Sequence, residues 1–355
     1  MGRETQRPLS TRSSSERKWR EVHAIVNTTE PVAPQRDSSR SSRVEQSVPD
    51  DIRYAVAEIS QCLSNGYRVV IPCGHSLERI LAGVGMAYLA HAPASMVRLA
   101  YSEDIQLALD ERVAMPLETR SDSSLALSRR VYKGFERHVS MGCPLRRGTL
   151  CPTHCKGSCA SRLALAAAND DQDVPEAIHR YVRLGFKEGP RIRSMLSDKI
   201  VAELDRLARY TLSECEHTRQ FVRFSQLSDG TYFSAFRPKA DTVPLTCNYF
   251  AARMRGDRFC LLDPKHHVIA MHDEGDHRCA VNRLDDRLTR ELSEHASDLA
   301  EGETYVHAMW KRFYDSVGLD GRDSSQRGYD LRASWMPKRF WGGLTELDST
   351  LGSAM

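Results

Sequence analysis

Four cysteines at Cys143, Cys151, Cys155 and Cys159 form a C-x7-C-x3-C-x3-C run, the densest concentration of reactive side chains in the sequence. Four thiolates in one short segment can surround a single soft ion, and the last three have the spacing that zinc sites favour. The same sulfurs suit Zn2+ or a [4Fe-4S] cluster, and spacing alone does not choose between them. A metal would stabilise a stretch that has few apolar residues of its own. The plainer alternative is a cysteine-rich surface loop, with Cys151, Cys155 and Cys159 falling on one helical face. Pro152 and Gly157 weaken that helix.

A second chemistry comes from cations interleaved with aromatic rings. Arg219 and Arg223 accompany Phe221 and Phe224; Lys311 and Arg312 follow Trp310; Lys338 and Arg339 precede Phe340 and Trp341. Rings that stack on bases and cations that meet phosphates are what a protein needs to hold a single nucleic-acid strand. The competing reading has the rings packed inward and the cations reaching out to water. A third group, His266, His267, His272, His277 and Cys279 with Asp273 and Asp276, invites a metal or acid–base role, although polar residues are ordinary at a hairpin tip. Cys73-Gly74-His75 sets a thiol beside a base, but residues so close in sequence rarely meet productively.

The elements that must position these groups follow from apolar periodicity. Asp198 to Glu216 carries Ile200, Leu204, Leu207, Ala208, Leu212 and Cys215 at helical spacing. Beyond it, Phe221–Phe224 and Thr231–Phe233 flank Ser228-Asp229-Gly230, which predicts a hairpin beneath the helix. Upstream, helices are expected from Ile52 to Leu63, Ser76 to Ala90, Asp122 to Val139 and Val174 to Lys187. Strands are expected at Tyr67 to Pro72, Met96 to Tyr101 and Met115 to Thr119, around a more helical Glu103 to Leu109. Downstream, Pro244 to Arg255 reads as a helix and Phe259 to Asp263 pairs with Val268 to His272. Helices follow at Asp285 to Ala300 and Glu303 to Ser316. The fold class is therefore α/β or α+β: a mixed sheet with a mainly antiparallel second half, long helices packed on it, and a disordered N-terminal tail.

The text QFVRFSQLSDGTYFSAFRPKADTVPLTCNYFAARMRGDRFCLLD, followed much later by MPKRFWGGLTE, resembles a bacterial family labelled probable DNA metabolism protein, whose core is a domain of unknown function. Several separated boxes occur in the family's order, and the likeness covers most of the chain beyond about residue 70. It implies an accessory protein of DNA repair or modification that works with a radical SAM partner, and a domain also found beside uracil-DNA-glycosylase-like domains. A radical SAM site itself needs C-x3-C-x2-C, from which Cys143–Cys159 departs. After Asp263, where the family tends to carry arginines, this chain has Lys265-His266-His267. The alternatives are a nucleic-acid-processing enzyme, hydrolytic or base-modifying, and a pure protein-interaction module.

Composition bounds the rest. With 355 residues, 41% hydrophobic and 27% charged, the chain can bury a full core. A net charge of +3 permits nucleic-acid contact through a local basic face without requiring it. The longest apolar run, Ile80 to Ala90, falls short of the roughly 20 residues that span a bilayer, and ten dispersed cysteines suit a reducing compartment. The expectation is a cytoplasmic protein divided into a Ser/Arg-rich tail (1–48), an N-terminal α/β part (49–140), a cysteine-rich insertion (141–173), a helix-hairpin core (174–347) and a short tail (348–355).

Overall fold

The computed structural model describes residues 49–114, 122–139, 159–295, 299–300, 302–316 and 336–344. These fall into two compact units, those up to Leu212 and those from Ser213 onward. The first holds α1 (Asp50–Ser64), β1 (Arg68–Cys73), α2 (Leu77–Leu89), β2 (Val97–Tyr101), β3 (Glu111–Val113), α3 (Asp122–Val139), α4 (Cys159–Ala167) and α5 (Val174–Glu188). Helix α6 (Lys199–Phe221) begins in the first unit and ends in the second. The second continues with β4 (Ser225–Gln226), β5 (Tyr232–Ala235), α7 (Val243–Arg253), β6 (Phe259–Asp263), β7 (Val268–His272), β8 (Ala280–Arg283), α8 (Asp286–His295) and α9 (Glu303–Ser316). Among the described residues no helix is long and apolar enough to cross a membrane.

In the first unit a three-stranded parallel sheet runs in the order β2-β1-β3. Its central strand buries Val69, Val70 and Ile71 together, because crossover helices cover both faces of a parallel sheet. Helix α2 accordingly buries every residue from Ile80 to Ala87. A Cβ on Gly83 would meet Cys73 Sγ at 3.0 Å and Leu99 Cδ2 at 3.2 Å, so the missing side chain sets how closely α2 lies on the sheet. The core also takes in Leu163 and Ala166 of α4, which places the latter part of the 141–173 stretch inside this unit.

The second unit is built on a five-stranded sheet, β4-β5-β6-β7-β8, antiparallel except where β5 runs parallel to β6. That one parallel pair needs a crossover, and α7 supplies it, entering with Pro244 in its first turn. Alternation along β6 and β7 divides the core in two. Phe259, Leu261, Val268 and Ala270 face Cys247, Phe250 and Phe340, whereas Cys260, Leu262, Ile269 and Met271 face Leu284 and Leu292. Both faces are covered, which explains why FCLLD and VIAMH are buried throughout.

The mixed architecture, the pairing of β6 with β7 and most helices agree with the periodicity. Three expectations need correction. Phe221–Phe224 is not a strand: α6 runs to Phe221, and Val222 N still donates to Thr218 O at 3.1 Å. The hairpin survives only as Ser225↔Phe233 and Gln226↔Tyr232, closed by Gly230 at φ 85°. Aromatic packing of Phe221 against Phe340, 5.9 Å between ring centroids, holds the helix where local β propensity favours a strand. Of the helical stretch expected from Glu103 to Leu109 only Glu103 and Asp104 are helical, within the single 3-10 turn Ser102–Asp104. Within the helix expected to reach Ala300, α8 is described to His295 and Leu299 forms a β-bridge with Leu227. Strands β3 and β8 were not anticipated, and Met115–Thr119 lies outside the described residues.

Candidate nucleic-acid interface

Two of the three cation–ring boxes, the first and the last, meet around the final turns of α6. The apolar stripe of this helix, Leu204, Leu207, Thr211, Glu214 and Thr218, is buried along its length and includes a carboxylate. Glu214 accepts from Lys239 N at 3.0 Å and is ion-paired with Arg339. Arg339 is the second residue of a 3-10 turn, Lys338–Gly343, whose Phe340 is buried against Phe221, His217 and Phe236. The closing box is thus fastened to α6 by one ion pair and one ring.

Helix α9 is held by contacts of its own. His307 Nε2 lies 3.1 Å from Ser225 Oγ, and Glu303 accepts from Gln226 N at 3.1 Å, so α9 is pinned to the edge strand β4. Arg223 stands two residues before that strand. With His307 and Glu303 turned to the sheet, Tyr305 (61% exposed), Val306, Met309 and Trp310 (45% exposed) face water next to Arg312. Among the described side chains of this helix, the large rings Tyr305 and Trp310 are on the outside. Burial of the rings, the ordinary arrangement, holds for Phe340 and not for Tyr305 or Trp310.

The seven basic and aromatic positions differ in what holds them. Arg223 is exposed, its guanidinium donating to Gln220 O at 2.8 Å. Lys338 is exposed with its ammonium 5.9 Å from the Trp341 ring centre, and Trp341 Nε1 donates to Met336 O at 3.0 Å. Arg312 is exposed and Lys311 half-buried. Arg219, by contrast, pairs with Glu216 at 2.6 Å and lies over Tyr249, 5.7 Å from its ring centre. Arg339 is engaged with Glu214 beneath the surface, where its Nε has no hydrogen-bond partner.

The histidine group separates. His272, at the far end of β7, has both ring nitrogens on backbone carbonyls, Asp257 O at 3.0 Å and Asp276 O at 2.9 Å, while His277 meets Arg255. His266 and His267 lie at the opposite end of that strand. There the turn after β6 is less solvated than a hairpin tip should be: Asp263 is fully buried, one of its oxygens accepting from Lys265 N and His266 N and the other facing His266 Nδ1. Beside it Asp241 pairs with Arg283, which also donates to His266 O at 3.1 Å. Burial pushes the Asp241 carboxyl up, against the pull of Arg283, and its Oδ1 has no hydrogen-bond partner.

Among the described residues no three His, Cys, Asp or Glu side chains are grouped to hold a metal. Cys143, Cys151 and Cys155 lie outside those residues, and Cys159 is the first residue of α4. In the first unit Cys73 is buried with its thiol pushed well up by desolvation, and His75 is engaged with Glu103 and stacked on Tyr101 at 3.8 Å. That pair makes no nucleophile and base.

A sequence profile described as a domain of unknown function, DUF4130, matches residues 172–346, just under half of the chain. No curated protein matches. Among solved structures, a DHH domain described as a member of the s1p family of ribosomal proteins shares 10% identity at a TM-score of 0.37, over 83% of this chain and 100% of that one. RecJ from Thermus thermophilus in complex with Mg2+ shares 12% identity at a TM-score of 0.35, over 83% of this chain and 60% of its own. The chain thus spans less than two thirds of that RecJ, and a likeness this loose transfers neither fold nor activity.

Proposed function

We propose that the chain is an accessory protein of DNA repair or modification that holds a nucleic-acid strand on α9 and the neighbouring basic residues, and that it acts with the radical SAM partner its family resemblance implies. The observation that carries this is the outward face of α9, where Tyr305 and Trp310 stand in water beside Lys311 and Arg312. Exposed rings next to cations cost solvation in a free protein and suit a ligand that brings both flat bases and phosphates.

Titration of the isolated chain with single-stranded DNA over a range of salt concentrations tests it. The affinity should fall steeply with salt, and Arg223→Ala or Lys338→Ala should each lower the logarithmic slope by about 1. Trp310→Ala should weaken binding by about 1–3 kcal/mol for one lost stack. Arg219→Ala should leave the slope alone, because that guanidinium is engaged with Glu216. A titration flat even at low salt removes the proposal and leaves a pure interaction module, for which copurification of the partner is the remaining sign.

The enzyme reading has one observation in its favour, the Asp263–His266 pair beside Asp241. A buried carboxylate on Nδ1 fixes an imidazole's orientation and steadies its charged form, the arrangement a general base needs. If the chain processes DNA, turnover of single-stranded or nicked substrate by the isolated protein should drop by about 10²–10⁴-fold in His266→Gln with binding retained. Turnover that is absent, or indifferent to this change, rules the pair out as catalytic.

A further inference from the structure

Two free thiols in the second unit meet. Cys247 sits in α7 and Cys279 immediately before β8, and the Cys279 thiol reaches over Cys247. Cys279 Sγ also lies 3.4 Å from Cys247 O, and Cys279 N donates to Asn248 Oδ1 at 3.2 Å, so the segment ahead of β8 is fixed over α7 by backbone as well as sulfur. Cys247 is buried, whereas Cys279 is half-buried and forms the pair's approach from solvent. The described cysteines that stand alone in the core are different. Burial raises the thiols of Cys73, Cys215 and Cys260, which leaves them inert.

We propose that Cys247 and Cys279 are a redox-active dithiol that hydroperoxides oxidise to an intramolecular disulfide. The Cys279 thiol beside it draws the Cys247 thiol below its ordinary value, so loss of one proton from the pair leaves the thiolate on Cys247. That sulfur attacks a peroxide oxygen: an S–O bond forms, the O–O bond breaks, and the departing oxygen takes up the released proton as water or alcohol. Cys279 Sγ then attacks the sulfenic sulfur. The S–S bond forms, the S–O bond breaks, and hydroxide leaves with the Cys279 proton as a second water. Two electrons pass from the thiols to the peroxide. The product ties α7, which carries Tyr249 beneath Arg219, to the entrance of β8.

The test uses the full chain treated with hydrogen peroxide, alkylated, digested without reductant and mapped by mass spectrometry. One cross-linked peptide joining Cys247 to Cys279 is expected, lighter by two hydrogens than its parts and lost on reduction. In Cys279→Ser the link should vanish and Cys247 should proceed to the sulfinic acid. If both residues are still alkylated after peroxide, whatever the other cysteines do, or if either is joined to a different cysteine, the proposal is overturned. Should the variant not fold, the map of the unaltered chain decides by itself.

Discussion

Glu214→Ala should destabilise the second unit by about 3–5 kcal/mol, the usual consequence of stranding one half of a buried ion pair. Glu214 is 3% exposed and meets both the Arg339 guanidinium and the Lys239 N–H. Removing it leaves a cation without its counter-charge and a partly buried amide without an acceptor. Glu214→Gln keeps an acceptor for Lys239 and should lose less. In Arg339→Met the positive charge goes as well, so a double-mutant cycle with Glu214→Gln should show a coupling well above the value of an exposed pair. Chemical denaturation followed by the fluorescence of Trp341 measures each. Losses below about 1 kcal/mol for Glu214→Ala would mean that the pair is solvated rather than structural.

Lowering the pH should destabilise the first unit through one residue above all. Glu111, buried at the start of β3, receives two bonds of 2.8 Å from Arg98 and one of 3.1 Å from Ala108 N. The hydrogen bonds from Arg98 hold its pKa down at about 2, against the opposing effect of burial. A folded value below the unfolded one means that the unfolded chain binds the proton first as pH falls. The contribution, on the order of 3 kcal/mol, is therefore complete above the ordinary carboxylate range and lost progressively down to about pH 2. Glu111→Gln should be less stable at neutral pH and show a flatter acid limb in stability measured against pH. Parallel limbs for the two proteins would contradict the assignment.

Most of the secondary structure was legible because it rests on periodicity. Where Leu204, Leu207 and Ala208 repeat at helical spacing, burial of one face fixes a helix whatever the neighbours are, although Leu212, expected on that face, is exposed. The end of α6 was not legible, since Phe221–Phe224 has strand composition and the Phe340 ring that packs on Phe221 lies far away in sequence. Strands β3 and β8 are too short, three and four residues, to show an alternation. For the candidate site, the residue types were visible but their engagement was not. Nothing local distinguishes Arg223, exposed, from Arg339, paired with a carboxylate 125 positions earlier. One signal was available: Glu214 falls on the apolar stripe of its helix, and a charge in such a place requires a buried partner. The Asp241–Arg283 pair carries no such mark, being brought together only by sheet order.

The separation between Glu214 and Arg339 also bears on how this unit comes into being on the ribosome. The carboxylate emerges 125 residues ahead of the guanidinium that neutralises it, and Phe221 and Phe236 emerge long before the ring that lies on them. At translation speeds of about 5–20 residues per second the nascent sheet waits on the order of ten seconds with this corner unclosed. For that interval Phe221 and Phe236 lack the ring that covers them in the finished fold.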